Sequence, residues 1–151
     1  LVFCQKPHSA ALVRLAGEKS MGRIEPGITG EGSVEVSEAN STRHLGEVKV
    51  FTTPNLIGLL ERTCMQSVLP YLEEGEATVG VGVNMRHLAA TPLGMSVSAR
   101  SRLTQVKGRV LTFAVEAFDD REKVAEGTHW RAIVRIDEVA ERLRRKAQGL
   151  S

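Results

Sequence analysis

One stretch of helical periodicity followed by four alternating stretches limits what this chain can fold into more than any other feature. Over 55–72, Ile57, Leu60, Cys64, Val68 and Leu72 recur along one helical stripe. Thr53 reads as the N-cap and Pro54 as the first helical residue, where a missing N–H loses nothing. Pro70 and Gly75 mark the end of that helix. The segment 77–88 then alternates, with Ala77, Val79, Val81, Val83 and Met85 on one face and Thr78, Gly80, Gly82 and Asn84 on the other. Segments 95–106, 109–118 and 124–136 continue the pattern, joined by hairpin turns at Lys107-Gly108 and Asp119-Asp120-Arg121-Glu122. A terminal amphipathic helix is expected over 137–148.

Upstream, the Gly-rich residues 20–32 with Pro26 read as a loop. Val34 and Val36 begin an alternation at Ser33, and apolar character returns over 48–51, which gives two short strands or one strand and an extended arm. Strands, one long helix and then an antiparallel meander argue for an α+β architecture, a single helix packed on a curved sheet. The division expected is a leader or N-terminal extension over 1–32 and one domain over 33–151, long enough to bury a core. The first 17 residues carry Lys6, Arg14 and no acid, so they read equally as an organellar transit peptide, a disordered leader or residues upstream of a start at Met21. The compartment is therefore left between cytoplasm and mitochondrial matrix.

Composition removes several function classes. Aromatic residues are 4% of the chain, too few for a base-stacking platform, and a net charge of +2 does not call for a polyanionic partner. The basic run Arg142, Arg144, Arg145, Lys146 reads as a solvated helix face. No apolar run reaches the ~18 residues a membrane span requires. Cys4 and Cys64 make no disulfide framework, Cys64 reads as an inert buried thiol, and the four histidines lack metal-ligand spacing.

Three polar groups stand where apolar ones are expected. Glu61 lies within the helical stripe, one turn after Ile57 and one turn before Cys64. A carboxylate there is either wet at the edge of the stripe or buried with a partner, because burying it unpaired costs several kcal/mol. His87 ends the apolar face of 77–88 and reads as a satisfied rim residue or as the imidazole of a site. Glu61 and His87 are both expected at the helix–sheet interface, where a carboxylate tunes imidazole basicity. Thr53, about two turns before Glu61, either only caps the helix or also supplies a hydroxyl.

Phe51-Thr52-Thr53-Pro54, Leu59-Leu60-Glu61, Pro70-Tyr71-Leu72, Thr78-Val79-Gly80, the run from His87 to Gly94 and Gly127-Thr128-His129-Trp130-Arg131 resemble, in this order and at these intervals, the fluoroacetyl-CoA-thioesterase-like proteins of the hotdog fold. The resemblance runs over residues 33–139. It implies a homodimer or higher oligomer whose sheets join, active sites at the subunit interface, acyl-CoA as ligand and no cofactor. Carried over by position, it makes Thr53, Glu61 and His87 catalytic and puts Gly80 beside the acyl group, although alternation sets Gly80 opposite His87 unless a bulge intervenes. Arg131 would contact ligand or pair with a carboxylate, and Phe51 sits where a lid would be built.

The activity expected is hydrolysis of a short acyl-CoA thioester. His87 and Glu61 would serve as general base and its partner, Thr53 would attack or orient water, and backbone N–H groups at the helix start would receive the oxyanion. The competing reading is an acyl-CoA binder without turnover. A hotdog hydratase ranks lower, since no Asp-x-x-x-x-His pairing precedes the helix.

Overall fold

The computed structural model describes residues 22–150, so Cys4 and the leader readings for the first 17 residues lie outside the described residues. Five strands, β1 (Thr29–Glu35), β2 (Glu76–His87), β3 (Ser96–Lys107), β4 (Val110–Phe118) and β5 (Lys123–Arg135), form one antiparallel sheet in the order β1-β3-β4-β5-β2. Helix α1 (Thr53–Val68), extended by a 3-10 turn over Leu69–Tyr71, packs on one face, and α2 (Ile136–Ala147) closes the described chain. The α+β reading and all four late strands hold to within a residue or two. The stretch 48–51 is the extended arm rather than a strand, tied by isolated bridges from Ser41 to Phe51 and from Val50 to Pro92.

Alternation is strict on β4, and on β3 as far as Leu103, where a register shift before Gln105 ends it. Val97, Ala99, Leu103, Leu111, Phe113, Val115 and Ala117 point inward and meet Leu56, Leu59, Leu60, Cys64 and Val68 of α1. Each large side chain buried this way contributes about 1.5–3 kcal/mol. Burial pushes the Cys64 thiol up to about 12, so it is protonated and inert, as its apolar setting implied.

β1 begins at Thr29, inside the segment read as a loop. The glycines that suggested a loop serve close approach instead. A Cβ on Gly30 would lie 2.7 Å from Ser67 Cβ and 2.9 Å from the Thr63 carbonyl oxygen, so only glycine lets this strand lie against α1.

The loop after β2 fixes where α1 starts. Thr91, fully buried, donates from its hydroxyl to Asp119 Oδ2 at 2.9 Å, while its carbonyl accepts from Phe51 N at 2.8 Å. Asp119 in turn accepts from the backbone N–H groups of Arg121 and Glu122, which shapes the β4–β5 hairpin. The residues just before α1 are thereby tied to the residues just after β2. This brings Thr53 and His87 together across the fold.

Candidate active site

The helix start differs from the sequence reading in a way that matters for chemistry. Thr52, not Thr53, is the N-cap: it is extended (φ −79, ψ 149) and its hydroxyl accepts from Asn55 N at 3.3 Å and from Asn55 Nδ2 at 2.6 Å. With the cap supplied by its neighbour, the Thr53 hydroxyl is left for another partner. That partner is His87, whose Nδ1 lies 2.9 Å from Thr53 Oγ1. The other ring nitrogen, Nε2, is buried with no hydrogen-bond partner among the described residues. A cleft of about 830 Å³ opens over this pair, lined by Phe51, Pro54, His44, Leu88 and Ala89 among others. Phe51 is 2% exposed, belongs to the core cluster and forms part of the cleft wall.

Glu61 does not reach His87. Its side chain is 45% exposed, and its Oε1 accepts from Arg131 Nη1 at 3.2 Å. Glu61 is therefore at the edge of the stripe and half-exposed, yet it has the partner expected only of a buried carboxylate. Arg131 itself is only 3% exposed and stands opposite Leu111 of β4, in a slot that apolar residues fill elsewhere. Such a cation requires nearly complete hydrogen bonding. Arg131 Nε donates to Thr78 Oγ1 and Nη2 to the Thr78 carbonyl, both at 2.9 Å, and Nη1 also lies 3.2 Å from His129 Nε2.

A β-bulge explains how Gly80 joins this cluster. The β2–β5 register shifts between Gly80 and Gly82, so Val81 is an extra residue on β2. Up to Gly80 the inward residues are Thr78 and Gly80; past the bulge they are Met85 and His87. The uninterrupted apolar face expected from alternation is therefore wrong. Val79 and Val81, assigned inward, are 40% and 58% exposed, because one inserted residue flips every side chain before it. Gly80 and His87 thus share a face. A Cβ on Gly80 would lie 2.5 Å from Glu61 Oε1, so glycine is required for the carboxylate to sit there. Gly80→Ala is expected to expel Glu61 from its contact with Arg131 and lower any Glu61-dependent activity by about tenfold or more, read from kcat/KM beside an unchanged fold by circular dichroism.

His129 and Thr78 were not singled out from sequence. The missed signal was period-2 spacing from Arg131, which puts His129 on the same inward face of β5. Thr78 was set on the wrong face by the unseen bulge. His129 is 4% exposed, and burial pushes its pKa below the usual imidazole range; the Arg131 guanidinium acts in the same direction, while the Gly82 carbonyl and Glu61 oppose it. The charged groups facing it are Arg131 of β5 and Glu61 of α1, with the Cys64 thiol neutral nearby. As pH falls below about 6.5 the unfolded chain takes up the proton that folded His129 refuses. This contribution to stability is complete above that pH and declines between it and the lower folded pKa. Tm is expected to drop between about pH 7 and pH 5, and His129→Leu should flatten the drop in a thermal melt series.

Among the described residues, no group of three or more His, Cys, Asp or Glu is placed to hold a metal ion, and no helix is long and apolar enough to cross a membrane. The family model for fluoroacetyl-CoA-specific thioesterase matches residues 34–137. This chain belongs to that family. A fluoroacetyl-CoA thioesterase of Streptantibioticus cattleyicolor is 37% identical over 98 residues, 65% of this chain and 70% of the relative. The solved structure of a fluoroacetyl-CoA thioesterase superposes with a TM-score of 0.75 at 32% identity, covering 82% of this chain and 97% of that one. A hot-dog-like protein from Thermanaerovibrio acidaminovorans shares the fold, with a TM-score of 0.74 at 22% identity over 80% of this chain and 91% of its own. The hotdog architecture expected from the sequence is the observed one.

Proposed function

We propose that this protein hydrolyses a short acyl-CoA thioester to the free acid and CoA, in a site built by two copies of the chain. The observation that carries the reading is the 2.9 Å contact between Thr53 Oγ1 and His87 Nδ1 at the wall of an open cleft. A hydroxyl at that distance from an imidazole is a nucleophile with its base in place. Thr53 attacks the thioester carbon as His87 Nδ1 accepts its proton, and that proton passes to the departing CoA sulfur. Water then cleaves the acyl-threonine ester to release the acid. At the start of α1 the N–H groups of Thr52, Asn55 and Leu56 are paired and Pro54 has none, so the Thr53 N–H is the backbone donor left to stabilise the oxyanion.

Glu61 enters from the second copy. β2 is an edge strand with Val79, Val81 and Val83 exposed, a hazard for a lone molecule and a ready surface for antiparallel pairing. From Gly80 to His87 is about 20 Å of extended strand, too far for one chain's Glu61 to serve its own His87. A two-fold axis near the middle of β2 would set His87 opposite Gly80 of the partner subunit. The carboxylate of Glu61, held beside Gly80, then orients the hydrolytic water over the other copy's acyl-threonine. The closeness of Gly80 and Glu61 favours a small acyl group at that end of the cleft.

The test is CoA thiol release from a panel of acyl-CoA thioesters, acetyl and fluoroacetyl to long chain, with sedimentation to read the oligomer. Turnover confined to short acyl groups in a dimer is expected. Tight acyl-CoA binding without thiol release would favour the non-catalytic reading, and a monomer at micromolar concentration would remove the composite site.

A further inference from the structure

We propose that His129 is a positioning residue for the Glu61 carboxylate, acting as a two-ended latch between the β2 bulge and Arg131. The proposal rests on the reading of Glu61 as a working group of a thioesterase site. Arg131 Nη1 can only donate, so His129 Nε2, 3.2 Å away, must accept from it. That leaves the proton on Nδ1, which donates to the Gly82 carbonyl at 2.9 Å. One neutral imidazole therefore pins the carbonyl on the far side of the bulge and the guanidinium that holds Glu61. Neither end is redundant. The bulge puts Gly80 inward beneath Glu61 Oε1, and Arg131 Nη1 is shared between His129 and Glu61.

The burial of the latch supports the same role. His129 stands opposite Phe113 of β4 at 4% exposure, where a leucine would satisfy packing alone, and it carries two polar nitrogens instead, both used. A buried polar group kept fully paired in a hydrophobic slot specifies geometry more than it adds stability. Were the imidazole charged, its Nε2 would become a donor facing a donor. The latch works only in the neutral form with hydrogen on Nδ1.

Three substitutions separate the two ends. His129→Leu removes both, His129→Asn keeps a donor near Nδ1 and loses the acceptor, and His129→Gln keeps an acceptor near Nε2. Leu and Asn are expected to lose roughly a hundredfold in kcat with little change in KM, and Gln roughly tenfold, since small misplacement of a reacting group has effects of that size. In a Glu61→Gln background the His129→Leu loss should shrink to about twofold or less, because the latch then has nothing to position. Nitrogen-15 shifts of the wild-type ring should show hydrogen on Nδ1 and a bare Nε2. Wild-type kcat in folded His129→Leu, an undiminished loss in the Glu61→Gln background, or hydrogen on Nε2 would each overturn the proposal. If the wild-type protein releases no CoA from any thioester, it is the thioesterase reading that fails, and the ring shifts still decide the latch.

Discussion

His87→Ala is expected to lose about 10²- to 10⁴-fold in kcat/KM for acyl-CoA hydrolysis while the protein remains folded. The substitution removes the one hydrogen-bond partner that the Thr53 hydroxyl has among the described residues, at 2.9 Å, and with it the acceptor for the nucleophile's proton. The fold should tolerate it. Nε2 of His87 is buried and unpartnered among the described residues, so deleting the ring removes a desolvated polar atom along with its packing. Thr53→Ala should behave likewise and Thr53→Ser should retain most activity, whereas Thr52→Ala should act on the stability of α1, since Thr52 is the cap. Thiol release and thermal melts on the same samples check all of this. Undiminished hydrolysis by folded His87→Ala refutes the assignment.

Arg131→Ala is expected to be the most destabilising polar substitution at the site, by about 3 kcal/mol, or a Tm lower by roughly 10 °C. The guanidinium is 3% exposed and makes four contacts, to Thr78 Oγ1, the Thr78 carbonyl, Glu61 and His129. Removing it opens a cavity beside Leu111 and strands a backbone carbonyl and an imidazole nitrogen without donors. Most of the effect comes from those buried partners. The ion pair with half-exposed Glu61 is screened by water and adds little. Arg131→Lys should rescue only partly, because an ammonium cannot reach Thr78, His129 and Glu61 with one fork of donors. Chemical denaturation of the three proteins distinguishes these outcomes.

The contrast between the two sites explains what was legible in the chain. Glu61 and His87 stood out because each broke an apolar period, and Thr53 because it stood at a helix start; both are local signals. Their pairing was not local. Periodicity suggested Glu61 and His87 as partners, since it set both at the helix–sheet interface. The fold instead joins Thr53 to His87 and Glu61 to Arg131.

Two physical facts account for the difference. An inserted residue at Val81 reverses the facing of everything before it, and no pattern of apolar residues announces a bulge when both flanking positions are glycine. Cap identity likewise depends on where the preceding chain is anchored. Thr52 and Thr53 are equal candidates by residue type, and the tie from Phe51 N to the Thr91 carbonyl makes Thr52 the extended one.

The sequence by itself determined the element order, the single long helix, the antiparallel meander and the residues out of keeping with an apolar face. These follow from hydrophobic period and turn chemistry, which act over a few residues. Only the tertiary structure decided which of those residues meet. Hydrogen-bond partners such as Arg131 and Thr78 lie far apart in the chain, and their contact depends on strand register, which one inserted residue resets.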